Sequence, residues 1–328
     1  MAEHTGIEWC DATFNPWWGC ERVSPACAHC YADTLSKRYA AGKQLWGDGH
    51  DFRFFGDKHW AEPLKWARLL PGKLGRRPRV FCASMADVFE PRDELRAPRE
   101  RLFDLIEQTP ELDWLLLTKR PEIALVDVVW RWNGETPPNV WMGTSVENSR
   151  YTWRATVLRQ IPAAVRFISA EPLLGSLFPS DRQTGVTASG DRSSHQLPSR
   201  DGVPLSEPTS SGQGSGPGRS MGSSGAVGRK ALDLTDIDWV IVGGESGARA
   251  RPCDLEHVRE LISACKARGY AGAPAVFVKQ LGARPVLSHP TDSDLVPLKL
   301  QDRKGGVMEE WPCDLWFREF PAIAAVLA

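Results

Sequence analysis

The stretch Trp114-Leu115-Leu116-Leu117-Thr118-Lys119-Arg120-Pro121 is an apolar run of strand length that ends in three polar residues and a proline. Short runs that are apolar at nearly every position are typical of strands in parallel sheets, because both faces of such sheets are covered. Five other runs have this form: 80–83, 140–143, 165–168, 239–242 and 275–278. Segments long enough for a helix separate most of them, including 97–108, 150–160 and 254–268.

The polar residues of this pattern are concentrated just after each apolar run. In an α/β barrel the carboxyl ends of the strands form one face, where functional groups gather. With the cysteine-containing segment near the start, about six or seven parallel strands are predicted. We therefore expect an α/β fold, an incomplete TIM-like (β/α) barrel forming a single domain over 1–328. A doubly wound open sheet is the alternative.

Residues 179–236 depart from this pattern because they contain no Phe, Trp, Tyr or Ile, and Ser, Gly and Pro dominate their centre. Such a composition cannot bury enough apolar surface to offset the entropy lost on ordering. A disordered, low-complexity insertion that interrupts the domain is predicted here.

The overall composition limits the classes of function. The chain has 328 residues, a formal net charge of −1 and eight cysteines. It therefore lacks a global basic field for nucleic acid, although a local basic groove stays possible. The cysteine content does not resemble a small secreted disulfide framework, and no signal-like or membrane-spanning segment is recognisable. We expect a cytoplasmic protein without a membrane partner.

Three cysteines, Cys20, Cys27 and Cys30, are spaced C-x6-C-x2-C in a segment that also contains Pro16, Gly19 and Pro25. Thiolates this close in a turn-rich loop can share one soft metal centre. Three ligands are one short of the usual four for zinc or a four-iron cluster. The open position of a 4Fe-4S cluster could bind the amino and carboxylate groups of S-adenosylmethionine, which would make the chain a radical enzyme.

Two other interpretations of these cysteines stay open. A structural zinc site could be completed by His29, Cys10 or His4. The three thiols could also be unrelated core residues, although buried cysteines rarely occur at this spacing.

Several motifs together resemble those of a phage-associated family of three-cysteine, radical-SAM-like proteins that carries a domain-of-unknown-function label. The resemblance covers nearly the whole chain except the insertion. It rests on residues 7–9, 15–16, 19–20, 24, 27, 30–32, 87, 117–121, 145–148, 169–175, 242–247, 302–306 and 310–312. It implies an iron–sulfur, S-adenosylmethionine-related barrel.

Two departures from the wider pattern accompany the resemblance. The cysteine spacing differs from the C-x3-C-x2-C of most radical-SAM enzymes. Cys10 stands where the family often has Thr, so a fourth thiolate could close the metal site.

The leading hypothesis is an iron–sulfur radical enzyme in which Cys20, Cys27 and Cys30 hold the 4Fe-4S cluster. One-electron reduction of S-adenosylmethionine would yield a deoxyadenosyl radical that abstracts hydrogen from an unknown substrate. An electron donor is then required, and the substrate could be a small molecule, a nucleic acid or a protein. A partner protein is also possible. The rival hypothesis is a non-catalytic phage or mobile-element protein, stabilised by zinc or a cluster, that binds a nucleic acid or a partner protein.

Polar residues at the strand ends supply the other candidate site residues. Structural hydrogen bonds or ion pairs are the alternative role for each of them. Gly243-Gly244-Glu245 resembles a radical-SAM cofactor-binding motif, although here it follows a late strand. Candidates for binding the cofactor are Ser84, Asp87, Ser145, Glu147, Gly243 and Gly244. Lys119, Arg120 and Lys279 could receive an anionic group, and Lys119, Glu171 and Glu245 are the candidate catalytic residues, the two carboxylates as proton acceptors.

Overall fold

The computed structural model of the chain describes residues 5–39, 42–179, 230–267, 272–289 and 292–322. Seven parallel strands form the main sheet, and their order in the sheet is their order in the chain. The sheet curls through 214° into a half-barrel with helices, which confirms the predicted incomplete α/β barrel. The strands are β1 (Ala12–Thr13), β2 (Arg79–Cys82), β3 (Asp113–Thr118), β4 (Val140–Ser145), β5 (Val165–Ala170), β6 (Trp239–Gly243) and β7 (Ala275–Gln280).

Helices occupy most of the connections between strands. They are α1 (Tyr31–Ser36), α2 (Asp57–Trp60), α3 (Glu62–Leu74), α4 (Arg96–Glu107), α5 (Pro121–Trp132), α6 (Trp153–Leu158) and α7 (Leu255–Lys266). The predicted helices at 97–108, 150–160 and 254–268 correspond to α4, α6 and α7 with shifted ends. The sequence pattern does not predict helix α5, because a proline after an apolar run is typical of a strand end. In the structure Pro121 occupies the first turn of this helix. In the described ranges no helix has the length and apolar character needed to cross a bilayer.

Alternate residues of each strand face opposite sides of the sheet, as the pleat requires. The outward residues pack beneath the helices in the larger core cluster, which also contains the buried Cys82, Cys253 and Cys265. The inward residues form a second cluster that fills the base of the half-barrel. We call it the aromatic floor; its members include Trp9, Phe81, Leu115, Trp141, Phe167, Trp239 and Phe277.

One glycine makes room for this floor. A Cβ placed on Gly143 of β4 would lie 2.2 Å from Cζ of Phe167 on β5. Since no real side chain approaches so closely, the ring of Phe167 occupies the space that any other residue at position 143 would need.

The C-terminal residues cover the free edge of β7. The N–H of Val278 donates to the carbonyl of Phe317 at 2.7 Å, and the N–H of Glu319 donates to the carbonyl of Val276 at 2.8 Å. Arg318 lies 3.1 Å from Glu8, so this segment also reaches the N-terminal residues beneath the floor. Pairing of this kind removes an exposed strand edge.

The predicted insertion spans 179–236, and its residues 180–229 lie outside the described residues. Residues 230–236 are described and pack against the core, since Leu232 and Leu234 are buried. The N–H of Leu232 donates to the carbonyl of Leu177 at 2.8 Å, and Thr152 donates its hydroxyl to the carbonyl of Lys230. The packed chain therefore resumes by Lys230, earlier than the predicted boundary.

The close approach at Gly143 predicts that Gly143→Ala destabilises the fold by about 1–3 kcal/mol, because the added methyl overpacks the floor against Phe167. Equilibrium denaturation with urea measures the change. The matched control is Gly72→Ala in α3, where a Cβ meets no atom within 4 Å. That variant should be neutral or slightly stabilised because Ala favours helix. In a Gly143→Ala background, Phe167→Leu should recover part of the loss, and equal free energies of unfolding for the two alanine variants would contradict the packing argument.

Candidate functional site at the barrel mouth

Polar residues at the carboxyl ends of the strands line the half-barrel above the aromatic floor. Lys119, Ser145 and Glu171 lie four positions beyond the floor residues Leu115, Trp141 and Phe167, so they share the same inward direction. Lys279 lies two positions beyond Phe277 on the same face. Together they line a cavity of about 450 Å³ above the floor, which we call the mouth cavity.

The cysteine loop forms another wall of this cavity, to which Cys20, Cys27 and Cys30 all contribute. Gly19 allows the loop to turn, because its φ is +131° and a Cβ there would lie 2.8 Å from the carbonyl oxygen of Asp51. The N–H of Gly19 donates to the carbonyl of Met85 at 3.1 Å, which ties the loop to the residues after β2.

The surroundings of two of the thiols, Cys20 and Cys30, favour the neutral form of the side chain. Burial raises the pKa of Cys20, as do the carboxylates of Asp87 and Glu90, while Arg120 acts in the opposite direction. Burial also raises the pKa of Cys30, and Lys119 partly offsets this effect. Both thiols therefore need additional positive charge nearby to ionise, which a bound metal supplies.

The donor set fits a group held by three thiolates. The three cysteines come from one loop, face one cavity and are soft ligands. They are not gathered into a ready-made ligand geometry, since no three His, Cys, Asp or Glu side chains in the described part of the chain are arranged to hold a metal ion.

The residues considered as a fourth ligand are placed differently. Cys10 is buried beside the aromatic floor rather than on the cavity wall, and its thiol donates to the carbonyl of Ile7. Burial and the neighbouring Asp11 raise the pKa of Cys10 to about 12. His29 directs Nδ1 to Oε2 of Glu245 at 3.2 Å, and His4 lies outside the described residues.

The carboxylate of Asp87 organises the end of β3. Its Oδ1 accepts the hydroxyl of Thr118 at 2.7 Å, and its Oδ2 accepts the N–H of Lys119 at 2.9 Å. Arg120 Nη1 lies 3.2 Å from Oδ2, and both side chains are almost fully buried. Asp87 lines the mouth cavity, but its oxygens are already engaged by protein groups.

Arg120 extends this network to the cysteine loop. Its Nη2 lies 3.8 Å from Glu90 and 3.7 Å from Glu21, the residue after Cys20. Glu90 accepts the N–H of Glu21 at 3.0 Å and lies 3.3 Å from Nε2 of His50. Burial would lower the pKa of Arg120, but the negative groups around it, led by Asp87, raise it above its usual value, so the guanidinium stays charged.

Two polar pairs remain on the cavity wall. Lys119 Nζ donates to Oγ of Ser145 at 3.2 Å. Lys279 Nζ lies 3.0 Å from Oε1 of Glu171, whose Oε2 accepts the hydroxyl of Ser169 at 3.4 Å. These side chains can contact a ligand in the cavity, as can the predicted candidate Ser84, which also lines it.

Four predicted site residues lie outside the wall of the mouth cavity. Glu147 is fully buried and lies 3.1 Å from Arg154. Gly243 and Gly244 allow close packing after β6, since a Cβ on Gly244 would lie 2.4 Å from the carbonyl oxygen of Leu281. Glu245 is held by Arg251 and His29; although burial opposes it, their hydrogen bonds lower its pKa below the usual range.

Tyr31 and Lys304 are among the cavity residues that the sequence analysis does not identify as site residues. Tyr31 donates its hydroxyl to the carbonyl of Ser84 at 2.8 Å, joining the cysteine loop to the end of β2. Lys304 reaches the cavity from a distant segment. The glycine pair after Lys304 is the feature of the sequence that indicates a turn at this point. The structure shows why glycine is needed: Gly305 has a φ of +62°, and a Cβ there would lie 2.7 Å from the carbonyl oxygen of Gly282.

A family model described as "Protein of unknown function (DUF5131)" matches residues 4–294. The chain belongs to this family. The match includes the cysteine loop and all seven strands of the half-barrel, and it ends before Lys304. A search of curated proteins and a search of solved structures each gave no significant match. The family description names no activity.

The Asp87 network predicts that Asp87→Asn destabilises the protein by about 3–5 kcal/mol, because it leaves the buried Arg120 short of a counter-charge. Chemical denaturation measures this loss. Asp93→Asn is the matched control, since Asp93 pairs with Arg96 at an exposed position and should cost less than about 1 kcal/mol.

A double-mutant cycle tests whether Asp87 stabilises the protein through Arg120. If Asp87 acts through Arg120, then Asp87→Asn should cost less in an Arg120→Gln background than in the wild type. Additive losses would show that the two side chains are energetically independent.

Proposed function

We propose that the chain is an iron–sulfur protein that acts as a radical enzyme on S-adenosylmethionine and a second substrate. The observation that carries this proposal is that three cysteines of one loop line the same cavity as Lys119, Glu171 and Lys279. The relation to phage-associated radical-SAM-like proteins is part of the proposal.

Cys20, Cys27 and Cys30 would hold a four-iron cluster, which leaves one iron without a protein ligand. Such a cluster supplies one electron, taken from an external donor, for cleavage of S-adenosylmethionine and hence for hydrogen abstraction from the second substrate.

The remaining wall residues have roles that follow from their contacts. Among the described residues, the hydrogen-bond partner of Lys119 Nζ is the hydroxyl of Ser145, so the ammonium can bind a carboxylate of the ligand. Ser84 and Ser145 offer hydroxyls for amino or ribose groups. Glu171 can accept a proton at Oε2, whose hydrogen-bond partner in the described part of the chain is the hydroxyl of Ser169 at 3.4 Å, while Lys279 holds Oε1.

The aromatic floor beneath these groups excludes water from below. The floor residues Trp9, Phe81 and Trp239 are buried. A dry base favours a radical reaction because water cannot enter from that side, and it strengthens the polar contacts above it.

A structural zinc site is the second candidate, and one observation favours it. A carboxylate bonded to one ring nitrogen, as Glu245 is to Nδ1 of His29, is the usual support of a histidine that binds metal through its other nitrogen. His29 with the three cysteines would then complete four ligands. The location of the cysteines on the cavity wall, which His29 does not line, supports the cluster proposal more directly.

Metal analysis separates these two candidates. Protein reconstituted anaerobically with iron and sulfide should be brown and contain close to four irons per chain. Cys20→Ala, Cys27→Ala and Cys30→Ala should each lose the colour, because each removes one cluster ligand. Cys313→Ala is the matched control, since Cys313 is exposed and distant in sequence from the loop. One zinc per chain without iron uptake, lost in His29→Ala, would overturn the cluster proposal in favour of zinc.

A second experiment tests the use of S-adenosylmethionine. Adding it to the reduced protein should change the electron paramagnetic resonance spectrum of the cluster and release methionine and 5′-deoxyadenosine slowly. Lys119→Ala should weaken this binding roughly tenfold or more while the iron content stays unchanged, because it removes one charged contact outside the metal ligands. Lys65→Ala on the exposed face of α3 is the matched control. An unchanged spectrum with a verified cluster would contradict the proposed activity.

A further inference from the structure

A second cavity opens beside the mouth cavity. It has a volume of about 710 Å³ and lies between residues 246–250 after β6, residues 282–285 after β7, and residues 298–303. We call it the basic cavity. Ser246 lines both cavities, and the adjacent residues Arg303 and Lys304 line one each.

The basic cavity has a local excess of positive charge. Arg284, Lys299 and Arg303 line it, and their side chains make no hydrogen bond or ion pair with the residues that the structure describes. Some nearby arginines are paired, as Arg251 is with Glu245 and Arg259 with Asp314. The grouping of these three cations around one cavity gives it a local positive charge, although the net charge of the chain is −1.

The single carboxylate in the lining, Asp302, makes no ion pair with these three cations among the described residues. Asp302 turns its oxygens toward backbone N–H groups, with Oδ1 accepting from Lys304 at 3.2 Å and Oδ2 from Gly306 at 2.6 Å. These bonds hold the turn that places Arg303 and Lys304 on the walls of adjoining cavities.

One wall of the basic cavity consists of residues with small side chains. Gly247, Ala248 and Ala250 form one side, and a Cβ on Gly247 would meet no atom within 4 Å. A bulky ligand can therefore approach the backbone closely there.

We propose that the basic cavity binds the phosphate groups of the substrate, whose reacting part enters the mouth cavity. Two guanidinium groups and one ammonium suit phosphate oxygens, because Arg binds phosphate through paired N–H donors and Lys binds it as a point charge. The shared Ser246 and the neighbouring Arg303 and Lys304 give a continuous path from the phosphates to the candidate catalytic groups. This role in substrate binding rests on the proposed function, whereas phosphate binding by the basic cavity does not depend on it.

The experiment measures binding of a fluorescein-labelled single-stranded oligodeoxynucleotide to the full chain by fluorescence anisotropy, with ATP and inorganic pyrophosphate as competitors. The wild type should bind the probe with an affinity that falls as salt rises. The triple variant Arg284→Ala, Lys299→Ala, Arg303→Ala should bind about tenfold more weakly or worse, with a log K against log [salt] slope shallower by about 2. Displacement by pyrophosphate or ATP assigns the site to a small phosphorylated molecule, and displacement only by unlabelled strand assigns it to a nucleic acid.

A matched control removes the same charge elsewhere. Lys65→Ala, Arg68→Ala, Arg96→Ala takes three cations from the exposed surfaces of α3 and α4 and should leave binding unchanged. If the two triple variants lost the same amount of affinity for the probe, the effect would come from net charge alone and the proposed phosphate site would be wrong. Absence of binding of every phosphate probe by the wild type would overturn it as well.

The cluster is measured in the same samples. The basic-cavity variant should keep its iron content and its spectral response to S-adenosylmethionine; loss of either would show that the substitutions damage the mouth cavity and would overturn the assignment. Specific phosphate binding by a protein that takes up no iron would sustain the phosphate site and refute the proposed function.

Discussion

The carboxylate of Asp87 is the contact on which the site depends. A strand cannot by itself decide where the residues beyond its end will lie, because the sheet hydrogen bonds stop there. Asp87 replaces them by accepting bonds from Thr118 and Lys119 and by pairing with the buried Arg120. Arg120 then carries this order to Glu21, next to the first cysteine. One acidic side chain therefore links the end of β2, the end of β3 and the cysteine loop.

The half-barrel separates packing from chemistry along each strand. Positions near the start and middle of the strands face inward as large rings, and positions two or four residues later face inward as polar groups. Three inward-facing residues of β4 illustrate this order. Trp141 contributes a ring to the floor, Gly143 leaves space for the neighbouring Phe167, and Ser145 lines the cavity. The same alternation that builds the core therefore sets the direction of the site residues.

This regularity explains what could be predicted from the sequence. Apolar runs with polar ends identified the strands, the barrel type and the cavity residues Lys119, Ser145 and Glu171. The pleat determines the direction of Ser145 within β4, whereas Lys119 and Glu171 lie one position beyond their strands and are held there by their side-chain and backbone contacts. Helix α5 was missed because a proline at a strand end and a proline in the first turn of a helix look alike in sequence.

Tertiary contacts account for the other differences. Glu147 is a polar residue just after a strand, as expected of a residue at the mouth, but its ion pair with Arg154 is buried inside the protein. Gly243 and Gly244 resembled a ligand-binding motif, whereas close backbone approach after β6 and β7 explains them as packing residues. The glycines after Lys304 indicate a turn, but the packing of Gly305 against Gly282, which brings Lys304 to the cavity, is a contact between separate segments.

The segment that covers β7 has a consequence for how the molecule is made. Trp239 donates its indole N–H to the carbonyl of Glu319, and Arg318 contacts Glu8 across a separation of 310 residues. A ribosome releases Glu8 long before Arg318, so the underside of the aromatic floor stays open throughout most of translation. The contacts that seal the base of the half-barrel therefore cannot form before residues 317–319 have been synthesised.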